Sequence, residues 1–282
     1  MDSVPFQLTI KGKLLDLSLP CVMGIINITP DSFYGLSRFH LVKDVLKAVE
    51  KALTDGATII DIGAYSTRPS SKHIPEGEEI KRLEEPLKTI REHFPDVIIS
   101  LDTFRSGVAR WAFEAYDIDI INDISGGSPD NFMFETVADL QIPYILTHTR
   151  GTPQTMQQLT HYDDLMSDIL QYFERKIAQL VHLGVKDMVI DPGFGFAKTL
   201  DQNYELLAKM RIFQELGFPI LCGVSRKSMI YKLLDTTPEE ALNGTNALNM
   251  LGLMNGANIL RVHDVKPALD VIKIYSKYKQ YQ

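Results

Sequence analysis

One short segment combines residue types that bind a planar heterocycle. It is the sequence Asp-Pro-Gly-Phe-Gly-Phe at 191–196, which follows an apolar run and contains a glycine-rich turn. A buried aspartate needs hydrogen-bond donors, and a ring with an N–H group beside an amino group, such as a pterin, offers two in a fork. An aspartate that caps the following loop has the same spacing, so both interpretations stay open here. Asp102 and Asn122, each after an apolar run, could accept and donate around the rest of such a ring.

Cationic residues also follow apolar runs. Arg226 and Lys227 lie where a predicted strand becomes a helix, and Ser228 falls near that helix N-terminus, a position that favours carboxylates. Arg261 and His263 end the last predicted strand. Such residues are usually solvated surface charges, but their position directly after strands weakens that interpretation. A polyanion such as pyrophosphate would use these cations, with Mg²⁺ sharing the charge.

Two further segments mix turn formers with charged, rigid or aromatic residues. They are Thr-Pro-Asp-Ser-Phe at 29–33 and Ser-Thr-Arg-Pro-Ser-Ser at 66–71. Lids that close over a reacting centre have this composition, and so do ordinary surface turns. Composition alone favours turns.

The elements that must position these residues repeat along the chain. Short β-branched runs alternate eight times with longer amphipathic stretches, such as 42–53 and 165–183, in which apolar residues recur every three or four positions. Near-continuous apolar strands between helices predict a parallel sheet covered by helices. Eight units in 282 residues favour a single (β/α)8 barrel of the TIM type, in the α/β class, that spans residues 1–282 as one domain. Residues 6–17, with Lys-Gly-Lys at their middle, predict a β-hairpin before the barrel. The predicted strands are 22–27, 58–61, 97–102, 118–122, 144–148, 188–191, 220–225 and 259–263.

Every predicted strand ends in a polar or ionisable residue. In a barrel of this type the strand ends converge on the C-terminal face, where active sites lie. The sequence therefore predicts a polar pocket with a residue from each strand. These residues are Asn27, Asp61, Asp102, Asn122, His148, Asp191, Ser225, and Arg261 with His263.

Composition excludes several classes of function. A net charge of −7 argues against a nucleic-acid partner, which requires a basic surface. A hydrophobic fraction of 45% suits a soluble globular protein, and no apolar stretch reaches the length of a membrane span. We find no signal peptide and predict a cytoplasmic protein. Cys21 and Cys222 lack metal-ligand spacing and are interpreted as small buried residues.

The motifs together resemble the dihydropteroate synthases. Gly-Ile-Ile-Asn-Ile-Thr-Pro-Asp-Ser-Phe at 24–33 is similar to the first signature of this family, and Asp-Ile-Gly at 61–63 with Ser-Thr-Arg-Pro at 66–69 is similar to the second. The motifs that contain Asp102, Asn122, His148, residues 191–196, 225–228 and 261–264 follow in the order of the family. The resemblance covers essentially the whole chain, and its first signature with Ser-Thr-Arg-Pro is highly specific.

This resemblance implies a transferase that joins 6-hydroxymethyl-7,8-dihydropterin pyrophosphate to p-aminobenzoate, in a family of homodimers that sulfonamides target. It places pterin contacts at Asp102, Asn122, Asp191 and Lys227, with Phe196 also in the substrate site. It places pyrophosphate and Mg²⁺ contacts at Asn27, Thr67, Arg68, Arg261 and His263, with Asn27 as the metal ligand. It places the aminobenzoate pocket at Phe33, Pro69 and Ser228. The expected catalytic residues are Asp31, Arg68, Asp102 and Lys227.

Four positions depart from the family pattern. The family commonly has Gly-Gly-Glu where this chain has Gly63, Ala64 and Tyr65, and it commonly has methionine at Thr147. Ala197 replaces a frequent glycine. These departures leave the ionic residues intact but leave the shape of the aminobenzoate pocket and the response to sulfonamides open.

Two alternative functions remain at this point. A barrel that passes a methyl group from a folate to a corrinoid also binds a pterin, but it does not bind pyrophosphate, so the segments 66–69 and 225–227 argue against it. A pterin-binding paralogue without catalysis is left open by Tyr65 and Thr147. The presence of all the ionisable residues argues against that second alternative.

Overall fold

The computed structural model describes residues 6–28, 38–65 and 73–281, with side chains from residue 42 onward in the second range. Strands and helices alternate through these ranges, as the sequence predicts. The described strands are β1 (Gln7–Ile10), β2 (Lys13–Asp16), β3 (Cys21–Asn27), β4 (Ile59–Gly63), β5 (Ile98–Asp102), β6 (Ile120–Asp123), β7 (Tyr144–Thr147), β8 (Met188–Asp191), β9 (Leu221–Cys222) and β10 (Ile259–Val262). The described α-helices are α1 (Arg38–Thr54), α2 (Glu76–His93), α3 (Ser106–Tyr116), α4 (Met133–Leu140), α5 (Leu165–His182), α6 (Leu200–Lys209), α7 (Ser228–Tyr231), α8 (Leu242–Met254) and α9 (Val265–Lys279).

The strands β3 to β10 form a parallel barrel. Neighbouring strands from β3 to β8 pair in chain order, and β3 pairs on its other side with β10, which pairs with β9. An isolated bridge between Ile190 and Ile220 closes the circle, and the backbone N–H of Ile190 donates to Pro219 O at 2.8 Å. The prediction of a (β/α)8 barrel is therefore confirmed.

Side chains alternate between two apolar layers because successive strand residues point to opposite faces. One layer fills the lower interior of the barrel; the other lies between the strands and the surrounding helices. The interior layer holds Met23, Ile59, Ile120, Ile145, Val189, Leu221 and Ile259. The barrel is therefore packed from below, and only the upper part of its interior is polar.

The predicted hairpin is confirmed and covers the lower end of the barrel. Its strands β1 and β2 pair antiparallel, and Leu8, Ile10 and Leu17 join the interior apolar layer. The backbone N–H of Thr9 donates to Asp187 Oδ1 at 3.0 Å, which fastens the hairpin to the start of β8. Lys11 extends from the turn to Asp117 and Asp119.

Most predicted boundaries differ from the observed ones by one or two residues. The largest difference is the seventh barrel strand, predicted over 220–225 but observed over Leu221–Cys222. Beyond Cys222 the chain turns towards α7, and Arg226 adopts a left-handed conformation with φ of 55°. An apolar run cannot reveal this early departure from the sheet.

Of the two cysteines interpreted as small buried residues, Cys222 is buried and Cys21 is partly buried. Cys21 and Cys222 are free thiols, and burial raises the pKa of each to about 12, so neither is an activated nucleophile. No described helix combines the length and apolar character that crossing a bilayer requires.

The hairpin offers a direct test of the interior packing. Leu8 is 1% exposed inside the barrel end, so Leu8→Ala is expected to lower the free energy of unfolding by about 2–5 kcal/mol, because it removes buried methyl groups and leaves a cavity. Leu14 on the same hairpin is 65% exposed, and Leu14→Ala is the matched control, expected to change stability by less than about 0.5 kcal/mol. Urea denaturation measures both. Equal losses would show that the hairpin does not seal the core.

Candidate active site

A buried carboxylate, Asp61 on β4, organises the upper interior of the barrel. Asp61 is 1% exposed and accepts hydrogen bonds from residues on three other strands, β5, β6 and β10. Ser100 Oγ donates to its Oδ1 at 2.6 Å, Arg261 Nε donates to its Oδ2 at 2.7 Å, and Asn122 Nδ2 lies 3.1–3.2 Å from both oxygens. A carboxylate with this many donors is satisfied without water, so it can hold the surrounding side chains in fixed orientations.

Arg261 on β10 joins Asp61 to a second carboxylate, Asp102. Arg261 Nη2 donates to Asp102 Oδ2 at 2.6 Å while its Nε holds Asp61. Burial outweighs the attraction of Arg261 and, helped by the negative charge of Asp61, raises the pKa of Asp102 to about 7. Gly63 pairs with Asp102 in the sheet, and a Cβ there would lie 3.1 Å from that of Asp102, so glycine leaves room for this side chain.

Among the described residues, one side-chain oxygen of Asn122 and one of Asp191 accept no hydrogen bond. The Asn122 amide nitrogen is held by Asp61, which directs its Oδ1 away from that carboxylate. The backbone N–H of Gly193 donates to Asp191 Oδ1 at 2.8 Å. Among the described residues, no hydrogen bond to Asp191 Oδ2 is recorded. The loop-cap and ligand-binding interpretations of Asp191 are therefore compatible, because one oxygen serves each.

Lys198, which sequence analysis missed, holds the turn after Asp191. This lysine is only 4% exposed, and its Nζ donates to Gly193 O at 3.0 Å, to Phe196 O at 3.1 Å and to His148 Nδ1 at 2.9 Å. Burial lowers the pKa of Lys198 well below its usual value, opposed by the charge of Asp191. The sequence signal that could have identified Lys198 is its position directly after the turn, because a lysine among glycine and aromatic residues has few routes to solvent.

Lys227 presents an ammonium group at the same level. It caps the N-terminus of α7, and its Nζ donates to Phe194 O at 2.5 Å and lies 4.9 Å from the centre of the Phe196 ring. Burial lowers the pKa of Lys227 to about 8, although Asp191 opposes the shift. Lys227 and Phe196 thus form one wall of the pocket, next to the free oxygen of Asp191.

Arg226 does not share this wall. Its Nε and Nη2 donate to the two oxygens of Asp264, each at 2.8 Å, and its backbone N–H donates to Thr245 Oγ1. In this fork geometry, one edge of the guanidinium is paired with both oxygens of the carboxylate. The expectation that Arg226 binds a polyanion is not met, and its role is to hold the segment that carries Lys227 and Ser228.

His263 lies at the rim with an exposed side chain. Its Nδ1 is 3.0 Å from Ser225 Oγ, and its backbone N–H donates to the same oxygen at 3.2 Å. Partial desolvation, together with the positive charges of Arg261 and Arg226, lowers the pKa of His263 to about 4. In the free protein His263 is therefore neutral at pH 7 and offers a hydrogen bond rather than a charge.

The strand β7 contributes a different residue from the one expected. His148 was expected in the pocket, but it packs between the barrel and α5, with its ring 4.8 Å from that of Tyr172. Ile145 faces the interior, so alternation directs Thr147 inward and His148 outward. Burial, followed by the charges of Lys198 and Arg150, lowers the pKa of His148 well below its usual range.

The remaining predicted residues fall into two groups. Ser228 begins α7 beside Lys227, and Asn27 ends β3 with an exposed side chain. The described residues contain no group of three or more His, Cys, Asp or Glu side chains arranged to hold a metal ion. The second group lies outside the described residues and comprises Asp31, Phe33, Thr67, Arg68 and Pro69.

The fold and this site define a (β/α)8 barrel with a buried polar network at the C-terminal ends of its strands. Residues 23–263 match the family described as pterin binding enzyme. A dihydropteroate synthase from Escherichia coli (strain K12) is 39% identical over 270 residues, which cover 95% of this chain and 95% of that protein. The chain therefore belongs to the pterin-binding enzymes and, within them, to the dihydropteroate synthases.

Solved structures agree with this assignment. The Yersinia pestis dihydropteroate synthase in a sulfonamide drug complex is 37% identical with a TM-score of 0.91, covering 97% of this chain and 99% of that one. The Xanthomonas albilineans enzyme with 4-aminobenzoic acid is 32% identical with a TM-score of 0.89, covering 98% and 99%. The chain is accordingly a transferase of folate biosynthesis, and the methyltransferase alternative is set aside.

Two glycine substitutions separate the close backbone contact at Gly193 from the cost of its left-handed conformation. Gly193 has φ of +71°, and a Cβ there would lie 2.0 Å from His148 O. Gly193→Ala is expected to lower the free energy of unfolding by about 2–5 kcal/mol, from left-handed strain plus overpacking. Gly184 has φ of +89° with nothing within 4 Å of a Cβ, so Gly184→Ala carries the strain alone, about 1–2 kcal/mol. Thermal and urea unfolding of both variants measure the difference; equal losses would disprove the close approach.

Proposed function

We propose that the upper barrel interior binds 6-hydroxymethyl-7,8-dihydropterin pyrophosphate and transfers its dihydropterinylmethyl group to the amine of p-aminobenzoate. The observation that carries this proposal is the buried network of Asp61, Arg261 and Asp102, next to the available oxygens of Asn122 and Asp191. Acceptors and donors at fixed positions in a water-poor pocket suit the polar edge of a pterin.

The pterin edge is proposed to lie against Asp191 and Asn122. The free Oδ2 of Asp191 can accept from the ring N–H and amino group, and Asn122 Oδ1 can accept from the same ring system. Lys227 donates to a ring acceptor, while Phe196 under its ammonium group packs on the heterocycle. Asp61 touches no substrate in this proposal and acts as a positioning residue.

The chemistry needs charge stabilisation rather than a nucleophilic side chain. The bond between the methylene carbon and the pyrophosphate oxygen breaks, and the electron pair leaves with pyrophosphate. The dihydropterin ring supports the cationic methylene, with Asp102 and Asp31 proposed as fixed negative charge. The amine nitrogen then forms the new C–N bond and releases a proton. Both described cysteines have raised pKa values, which accords with a reaction that uses no thiolate.

The leaving group is proposed to meet Thr67, Arg68, Arg261 and His263. Two nitrogens of Arg261 already donate to carboxylates, which compensate its positive charge. Arg261 is therefore proposed to orient the leaving group rather than to neutralise it. This assigns most of the charge compensation to Arg68 and Lys227. Phe33, Pro69 and Ser228 are proposed to form the aminobenzoate pocket, with Ser228 near the first turn of α7, next to Lys227.

Mg²⁺ fits this site only as an ion that the substrate helps to hold. Asn27 offers one exposed side-chain oxygen, and the described residues provide no cluster of metal-binding side chains. Mg²⁺ usually keeps several waters and binds through few protein ligands plus phosphate oxygens, which this arrangement allows. When bound, it would neutralise charge on pyrophosphate, with Asn27 as its protein ligand.

Assembly and location are proposed on less specific grounds. We propose that residues 1–282 form one domain and act in the cytoplasm on small molecules. A homodimer through the C-terminal helices is supported by exposed apolar residues on the packed pair α8 and α9, among them Leu251 at 47% and Ile274 at 62% exposure. Side chains of this kind favour burial against a second copy.

A coupled assay for pyrophosphate release tests the reaction directly. Purified protein with the pterin pyrophosphate and Mg²⁺ is expected to release pyrophosphate only when p-aminobenzoate is added, with dihydropteroate as the product. Omission of Mg²⁺ is the control for the metal. Tight pterin binding without release would instead support the non-catalytic paralogue, with Tyr65→Glu as the first substitution to test.

The pKa values of Asp102 and Lys227 predict the pH dependence of kcat/KM. Below about pH 7 Asp102 becomes protonated and loses its negative charge, and above about pH 8 Lys227 loses its positive charge. The profile of the free enzyme is therefore expected to be bell-shaped, with a maximum between these values and tenfold losses per pH unit on either side.

Two variants assign the two sides of this profile. Asp102→Asn is expected to remove the acid dependence, whatever its residual rate, and Lys227→Arg keeps its charge and should remove the alkaline dependence. If both dependences persist unchanged in these variants, ionisation of the substrate causes them and the proposed roles of the two side chains are wrong.

A further inference from the structure

A buried threonine in the pocket has a hydroxyl group without a partner. Thr147 ends β7, between β6 with Asn122 and β8 with Asp191, and it pairs with Asp191 in the sheet. Alternation places it on the interior face above Ile145. Thr147 is 0% exposed and Asn122 is 1% exposed, so both side chains are fully enclosed.

Its hydroxyl differs from the other buried hydroxyls near the strand ends. Ser100 donates to Asp61, Thr103 to Glu79 and Ser125 to Asp123. Among the described residues, only Thr147 Oγ1 and the amide of Asn249 are buried side-chain polar atoms without a hydrogen bond, and Asn249 lies on α8 in the outer layer. An unpaired buried hydroxyl costs about 1–3 kcal/mol, so its persistence calls for a partner that the described residues do not supply.

The surroundings of Thr147 limit where that hydroxyl can point. Its Cγ2 lies 3.4 Å from the position of a Cβ on Gly193, so the methyl group faces the turn after Asp191. Its carbonyl oxygen accepts from Tyr172 Oη at 2.9 Å, which fixes the backbone. A β-branched side chain has few rotamers, so once the methyl group faces the turn the hydroxyl occupies the other branch.

We infer that Thr147 is a specificity-determining residue that hydrogen-bonds the heterocycle of the substrate. Its hydroxyl lies on the strand between the two residues that we assign to the pterin edge, and it can donate to a ring nitrogen or accept from a ring N–H group. This inference rests on the proposed pterin site. An apolar side chain of similar volume would fill the same space without discriminating between ring edges.

The test separates the hydroxyl from the shape of the side chain. Thr147→Val replaces the hydroxyl with a methyl group, and Thr147→Ser retains the hydroxyl. Binding of 6-hydroxymethylpterin, measured by calorimetry, is expected to weaken about five- to tenfold in Thr147→Val, the size of one net hydrogen bond. Thr147→Ser is expected to stay within about threefold of the unmodified protein. Thr136→Val, at a buried threonine of α4, is the control for loss of a hydroxyl elsewhere.

Thermal unfolding without ligand gives an independent readout. Removal of an unpaired hydroxyl should leave Thr147→Val at least as stable as the unmodified protein, so weaker binding cannot be attributed to unfolding. If Thr147→Val binds the pterin as tightly as the unmodified protein, the inference is wrong while the pterin site stands. If the unmodified protein itself binds no pterin, the proposed function fails first.

Discussion

The ion pairs of Arg261 with Asp61 and Asp102 are the constraint on which the rest of the site depends. They join β4, β5 and β10 in the upper interior, where desolvation penalises any unpaired charge. Loss of one partner from such a buried set typically costs about 3–5 kcal/mol, because it leaves an uncompensated charge. The three strands must therefore end at matching heights, and the apolar layer below them keeps that register.

The same burial sets the electrostatic character of the pocket. It moves the pKa of Asp102 up to about 7 and that of Lys227 down to about 8, so both groups are near their titration points at neutral pH. Asp61 and Arg261 satisfy each other, and the proposed pterin contacts of Asp191 and Asn122 lie beside them. The pocket is therefore organised before substrate arrives, which is the condition for electrostatic stabilisation of a leaving group.

Local periodicity predicted the barrel, the hairpin and most of the strand ends, because each depends on residues near one another in sequence. Two expectations failed for a different reason. A difference of one residue along β7 places Thr147, rather than His148, on the interior face. Arg226 binds Asp264, a partner 38 positions away. Ser100, whose hydroxyl meets Asp61 across 39 positions, carried no local signal either. Which side chains meet is decided by strand register and by distant partners, neither of which a spacing pattern contains.

The departures from the family pattern lie beside the ionic network rather than within it. Tyr65 packs edge-on against Phe104 at 4.9 Å, its hydroxyl lies 3.2 Å from His73 Nδ1, and the Arg105 guanidinium lies 5.4 Å from the centre of its ring. Ala197 adopts φ of 48°, and its buried methyl group offsets part of that strain. Thr147 ends β7 on the interior face of the barrel, beside Asp191. Because Asp61 and Asp102 share the single positive charge of Arg261, loss of any one of the three changes the charge balance of a desolvated site, whereas exchange of Thr147 for another neutral side chain changes only shape and hydrogen bonding.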